Sequence, residues 1–268
     1  MSARDQASGR QARGAALLQV SGVDVSFGGI QALKNASFKV EADEICGLIG
    51  PNGAGKTTLF NTVSGLVPIH AGQIEFLGQR IDTLAPHRII GTGISRTFQN
   101  VGLYPDMSVL QNVQLGGHFG SRAGFLATAA RLPWARREER SLREKALRHL
   151  EEIGLQDIAL RRTGDLPYGT LKRVEIARAL MSSPRLLMLD EPAGGLSHGE
   201  VEELGGTLRR LRRERGLTLL IVEHHMRMVM EICTHVVVLS QGAIIADGTP
   251  QEVQADDNVI AVYLGAAT

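Results

Sequence analysis

Ile45-Cys46-Gly47-Leu48-Ile49-Gly50-Pro51-Asn52-Gly53-Ala54-Gly55-Lys56-Thr57-Thr58-Leu59 sets out an apolar strand, a glycine loop and a helix start in that order. Glycine, four residues, glycine, lysine and a hydroxyl residue is the spacing of a phosphate-binding loop. The glycines let the backbone close on a phosphate, so that successive N–H groups of Gly50 to Gly55 form an anion nest around it. The helix that opens near Lys56 adds the partial positive charge of its N-terminus. The Lys56 ammonium is a compact charge suited to bridging the outer phosphates. The Thr57 hydroxyl, with Thr58 beside it, is placed to ligate Mg²⁺, which takes few protein ligands and fills its shell with phosphate oxygens and water.

The rest of the composition narrows the class. The chain has 268 residues, enough for one elaborate domain or two small ones. Its net charge of +1 gives no electrostatic footprint for nucleic acid. Cys46 and Cys233 are far apart and form no CxxC pair. Cys46 lies in an apolar strand and reads as an inert core residue, in keeping with a reduced, cytoplasmic setting. No apolar run approaches the ~20 residues that span a bilayer. The polar start from Met1 to Gly14 lacks the apolar core of a secretory signal, and residues 1–16 are expected to be a flexible tail. A membrane role for such a chain requires docking on another subunit.

Short apolar strands alternate with helical patterns. Leu18, Val20, Val23, Val25 and Phe27 have the spacing of half-buried extended chain, broken at Ser21-Gly22. Phe38 and Val40 continue in that style, and Gly72 to Gly78 reads as a short strand between turns. These early strands are expected to form a small sheet beside the nucleotide. From Val109 to Met181 the pattern is helical, with Leu142, Ala146, Leu150 and Ile153 on one face of a charge-laced helix. Arginines and glutamates alternate there, which suits a solvated face better than a nucleic-acid patch; Trp134 reads as packing. Leu186 to Leu189 and Leu219 to Val222 are continuous apolar runs, as in strands buried on both faces. Val236 to Leu239 and Ala243 to Ile245 flank Gln241-Gly242 as a hairpin. The expected fold is α/β, with a mainly parallel sheet.

Four further stretches carry chemistry. Asp190-Glu191-Pro192 ends a buried strand: Asp190 suits the Mg²⁺ shell, and Glu191 suits polarising a water for attack on the terminal phosphate. Paired acids at a strand end also cap helices, a reading that recedes beside a phosphate loop. His224 follows the strand Leu220 to Val222 and can donate to the terminal phosphate, whereas His225 points the other way and reads as a bystander. Gln99, in Arg96-Thr97-Phe98-Gln99-Asn100, can both donate and accept, so it can touch Mg²⁺ or its water; alone it reads as readily as a surface residue. Leu166-Pro167-Tyr168-Gly169-Thr170 opens a second glycine-containing helix with no strand before it. The phosphate site of this chain being furnished already, that helix start reads as serving the nucleotide of another subunit.

Together these elements resemble the ATP-binding subunit of ABC transporters. Gly50 to Thr57 is similar to the Walker A motif, Gln99 to the Q-loop, Leu166 to Thr170 to the signature motif, Leu186 to Glu191 to the Walker B motif with its catalytic glutamate, and His224 to the switch histidine. Phe27 matches the aromatic that stacks on adenine. The match runs from about Leu17 to Leu264. Within the family the branched-chain (hydrophobic) amino-acid importer group is the most similar, through Arg96 to Val101, Tyr168-Gly169, Ala193 to Leu196 and Val262 to Gly265. A lipopolysaccharide-export ATPase and a non-transport ABC ATPase are the alternatives.

The resemblance implies a P-loop NTPase core with a small antiparallel β-subdomain and an inserted α-helical subdomain at about 101–180, all within an ATP-binding domain spanning 17–268. It implies ATP and Mg²⁺, with Thr57, Gln99 and Asp190 toward the metal and Glu191, His224, Lys56 and Gln99 in catalysis. It implies integral membrane permease subunits, a second ATP-binding subunit, indirectly a periplasmic or extracellular solute-binding protein, and a place on the inner face of the cell membrane. Two departures stand out. Pro167 replaces the serine of the usual signature and Tyr168 a glycine, so a hydroxyl and an N–H that would face the partner's nucleotide are missing. Ser197 stands where an aspartate is common.

Overall fold

The computed structural model describes residues 16–97, 102–117 and 133–265. Gln99 and most of the N-terminal tail fall outside these residues, as does the side chain of Trp134.

The early segments form one four-stranded antiparallel sheet. β1 (Ala16–Phe27) and β2 (Ile30–Glu41) make a long hairpin. The Ser21-Gly22 break is a bulge inside β1, where the register shifts between Val20 and Val23 and Gly22 takes φ 60°. β4 (Ala71–Phe76) pairs with β1, and β5 (Gln79–Arg80) pairs with β4.

The second sheet has the order β10-β9-β3-β8-β7-β6. Its members are β3 (Ile45–Ile49), β6 (Ile94–Arg96), β7 (Leu186–Asp190), β8 (Thr218–Val222), β9 (His235–Ser240) and β10 (Ala243–Gly248). Every pairing is parallel except β9 with β10, the hairpin expected at Gln241-Gly242. All five residues of β3, β7 and β8 are buried, which accounts for their unbroken apolar runs. Alternate residues face two cores. Cys46, Leu48, Met188, Leu220 and Val222 join Leu18, Phe38, Phe76 and Phe60 between the two sheets. Ile45, Ile49, Leu187, Leu189 and Ile221 join the helices on the far side.

The helices are α1 (Lys56–Val63), α2 (Pro86–Thr92), α3 (Val109–Leu115), α4 (Pro133–Glu152), α5 (Tyr168–Leu180), α6 (His198–Arg215), α7 (Met226–Ile232), α8 (Pro250–Gln254) and α9 (Asp257–Gly265). α3, α4 and α5 pack on one another, and Ala146, Leu150 and Ile153 are buried as their spacing predicts. α6 opens on a capping box between Ser197 and Glu200, carries arginines in its last turn, and ends on Gly216 with φ 60°. Each of these features favours a helix at that position.

Candidate functional site

The loop between β3 and α1 is pinned where its glycines leave no space for a side chain. Gly50 has φ +151°, and a Cβ there would lie 2.0 Å from the Leu239 carbonyl oxygen at the end of β9. Gly55 has φ +105°, and a Cβ there would meet the Ala32 carbonyl of β2 at 2.6 Å. The Gln241-Gly242 turn locks onto both neighbours: the Gly242 N–H donates to the Ala54 carbonyl at 2.9 Å, and the Lys34 N–H donates to the Gly242 carbonyl at 2.8 Å. The result is an open groove of about 410 Å³ lined by Asn52 to Thr58, Glu191, Gln241-Gly242, and Ile30, Gln31, Ala32 and Lys34 of β2.

This groove is built for an anion. As the first turn of α1, Lys56, Thr57 and Thr58 have N–H groups without intrahelical acceptors, at the positive end of the helix dipole. The Lys56 ammonium donates to the carbonyls of Gly50 at 2.6 Å and Pro51 at 2.9 Å. Burial lowers its affinity for the proton, and the nearby Glu191 carboxylate partly restores it. Thr57 is exposed on the groove wall, where its hydroxyl is available as a hard oxygen ligand. An anionic polyphosphate carrying a hard divalent cation fits this donor set.

The two acids that end β7 part company. Glu191 sits at φ +47°, a left-handed conformation costing about 1–3 kcal/mol for a residue with a side chain. Its N–H extends the ladder to the Val222 carbonyl at 2.9 Å. Its carboxylate reaches the groove and stands 3.9 Å from Nδ1 of His224. Asp190 is buried and accepts from the Arg96 guanidinium at 2.8 Å. Arg96 in turn donates to Asn61 at 2.7 Å and Ser64 at 3.1 Å on and just past α1, and lies over the Phe60 ring. Thus one cation joins β6, the loop helix and the end of β7.

Leu166 to Thr170 do not line the groove. Pro167 is the N-cap of α5, so Tyr168, Gly169 and Thr170 form its first turn. Tyr168 is half exposed, with its ring against the Lys172 ammonium. Phe27 is half exposed at the tip of the β1–β2 hairpin, opposite Ile30 in register; of that pair it is Ile30 that lines the groove. Neither Cys46 nor Cys233 has a disulfide partner; both are buried, and burial pushes both thiols up.

Sequence reasoning passes over four contributors: Arg96, Glu223, whose carboxylate accepts the N–H groups of Ala193, His224 and His225, the β2 wall at Ile30 and Lys34, and the Gln241-Gly242 turn as part of the site. The only signal for Glu223 is a charge directly after an apolar strand, the same signal that exposes Asp190-Glu191, whereas Arg96 ends the mixed strand Ile94-Ser95-Arg96 and carries no such signal.

The ABC transporter family model matches residues 33–194, and the model for branched-chain amino acid ATP-binding cassette transporters matches residues 243–268. The chain is 43% identical over 251 residues to the high-affinity branched-chain amino acid transport ATP-binding protein BraF of Pseudomonas aeruginosa, covering 94% of this chain and 98% of that one. It is 39% identical over 251 residues to LivG of Escherichia coli, with the same coverage. Among solved structures, an ATP-binding cassette of an ABC transporter in its ADP conformation superposes with a TM-score of 0.81 at 32% identity, covering 93% of this chain and 99% of that one.

Proposed function

The chain belongs to the ABC transporter ATP-binding family, and from that we propose that it is the ATP-binding and ATP-hydrolysing subunit of an importer for branched-chain or related amino acids. The observation that carries the reading is the groove that joins the phosphate loop to Glu191. The near-full-length likeness to two branched-chain amino acid transport ATP-binding proteins supports the class of cargo.

In this reading the loop N–H groups from Gly53 to Thr58 and the Lys56 ammonium hold the outer phosphates of ATP. Thr57 and Asp190 would hold Mg²⁺, with Gln99, which lies outside the described residues, as a further candidate ligand. When bound, the metal supplies charge neutralisation for phosphoryl transfer. Glu191 accepts a proton from the attacking water, and His224 donates toward the terminal phosphate. Phe27 or its neighbour Ile30 supplies the wall for the base. Residues 166–170 complete the nucleotide site of a second ATP-binding subunit.

No helix of the described residues is long and apolar enough to cross a membrane. We assign residues 17–268 to one ATP-binding domain and the helical part at about 101–180 to contact with integral membrane permease subunits on the inner face of the cell membrane. A solute-binding protein outside would deliver the cargo. The test is uptake of labelled leucine by the complete complex in ATP-loaded proteoliposomes. Uptake that is present with this chain and lost with Lys56→Ala supports the proposal. ATP hydrolysis without uptake of any branched-chain amino acid overturns the choice of cargo.

A further inference from the structure

Glu223 follows β8 directly and is 1% exposed. A carboxylate so deeply buried needs several donors, and these come from two separate segments. One oxygen accepts the Ala193 N–H at 2.6 Å. The other accepts the N–H groups of both His224 and His225 at 3.1 Å. The carboxylate is therefore a bracket. It fastens the backbone that carries His224 to the backbone just past Asp190-Glu191, beside the ladder bond from Glu191 N–H to Val222 O.

The Ala193 side of the bracket is itself well tethered. The Gly194 N–H turns back to the Glu191 carbonyl at 3.1 Å, and the Leu196 N–H to the Ala193 carbonyl at 3.1 Å. Gly195 lies against the Tyr168 ring, close enough that a Cβ there would meet it at 3.2 Å. By contrast His224 is largely exposed, and its approach to Glu191 is 3.9 Å, longer than a hydrogen bond. The imidazole is thus placed by its backbone, and its backbone is placed by Glu223.

We propose that Glu223 is a positioning residue for phosphate-bond hydrolysis, acting through His224 by fixing that histidine relative to Glu191. This rests on the function proposed above. Charge-assisted bonds to backbone N–H groups are stronger and shorter than neutral ones, and a carboxylate can accept on both of its faces at once. A glutamine cannot: its amide oxygen serves one segment, and its NH₂ group faces N–H donors on the other. Glu223→Gln therefore releases one end of the bracket with almost no change in volume.

The experiment compares wild type, Glu223→Gln, His224→Ala and the double variant in the assembled complex, reading ATP affinity, kcat and melting temperature. Loss of the bracket is expected to lower kcat by about tenfold or more, short of the roughly hundredfold that full loss or misplacement of an acid–base group costs because the imidazole itself remains, while ATP affinity stays within about threefold. The double variant is expected to be no slower than His224→Ala alone, because residues acting through one another are non-additive. The proposal is overturned if Glu223→Gln keeps wild-type kcat, or if the double variant loses the product of the two single losses. If Glu223→Gln melts below the assay temperature, Glu223→Asp takes its place, its shorter arm unable to span both segments, and is read by the same two criteria. Absence of hydrolysis in the wild type would instead count against the proposed function, since the bracket is defined relative to an active enzyme.

Discussion

The guanidinium of Arg96 and the carboxylate of Asp190 form a buried ion pair at 2.8 Å, with side chains only 10% and 6% exposed. Ninety-four residues apart in sequence, they join the strand that leads toward Gln99 to the strand that ends in the acid pair. Asp190 is thus held by a protein cation in the same place where it is proposed to face Mg²⁺.

Removing one partner of such a pair leaves a buried charge without compensation. Arg96→Met is expected to destabilise the chain by about 3–5 kcal/mol, with a further loss from the Asn61 and Ser64 bonds. Arg96→Lys, which cannot make the forked contacts, should fall between. Urea denaturation midpoints check this; a shift below about 1 kcal/mol would show that the pair is not a structural joint.

Gly50→Ala places a Cβ 2.0 Å from the Leu239 carbonyl, a contact that only backbone movement can relieve. The loop and the end of β9 must then separate. The expected outcome is a fall in melting temperature together with at least a tenfold weaker ATP affinity, since the phosphate cradle is set by that approach. Calorimetry and a fluorescent-nucleotide titration read both; wild-type values would contradict the close packing.

His235 supplies a pH signature away from the groove. Burial opposes its charge, but its hydrogen bonds to Asp247, Cys46 and Glu44 outweigh it and push the imidazole up to about 12. Its ring nitrogens lie 3.0 Å from Glu44 and 2.5 Å from Asp247. A histidine with a raised folded-state value stabilises fully below its ordinary value of about 6.5, and that contribution is lost as pH climbs toward the folded value. The stability gap between wild type and His235→Gln should therefore be largest near pH 6 and shrink between pH 7 and pH 9.5. Urea melts across that range check it; a gap that stays constant or widens contradicts the charged cluster.

Much of the fold is written in local pattern. Fully apolar runs such as Leu186 to Leu189 mark strands buried on both faces, and Gln241-Gly242 marks its hairpin because both residues adopt positive φ. The start of α5 is less legible. The stretch Leu166 to Thr170 reads as a helix start without fixing the first residue; the helix begins at Tyr168, with Pro167 at its N-cap and Gly169 packed tightly against Glu200. The Ser21-Gly22 break, which looks like an interruption, is a bulge within one strand. Contacts between distant segments leave no local trace. Neither the Arg96–Asp190 pair nor the three N–H groups on Glu223 follow from spacing.

The altered helix start at Pro167 bears on symmetry. If residues 166–170 face a partner's nucleotide as proposed, the missing hydroxyl and N–H at Pro167 make this chain a poorer phosphate cradle for that nucleotide than a partner with a serine would be for this one. In an assembled heterodimer, Glu191→Gln in this subunit alone is expected to remove most single-turnover hydrolysis. Retention of most of the activity would place the working site in the partner.

The most direct measurement of the central claim is phosphate release by the assembled complex, wild type against Glu191→Gln, with ATP affinity measured in parallel. The groove predicts that the variant binds ATP within about threefold of wild type while its turnover falls at least a hundredfold, the lower range for loss of a general base. Unchanged turnover in the variant, or no detectable ATP binding by the wild type, would contradict it.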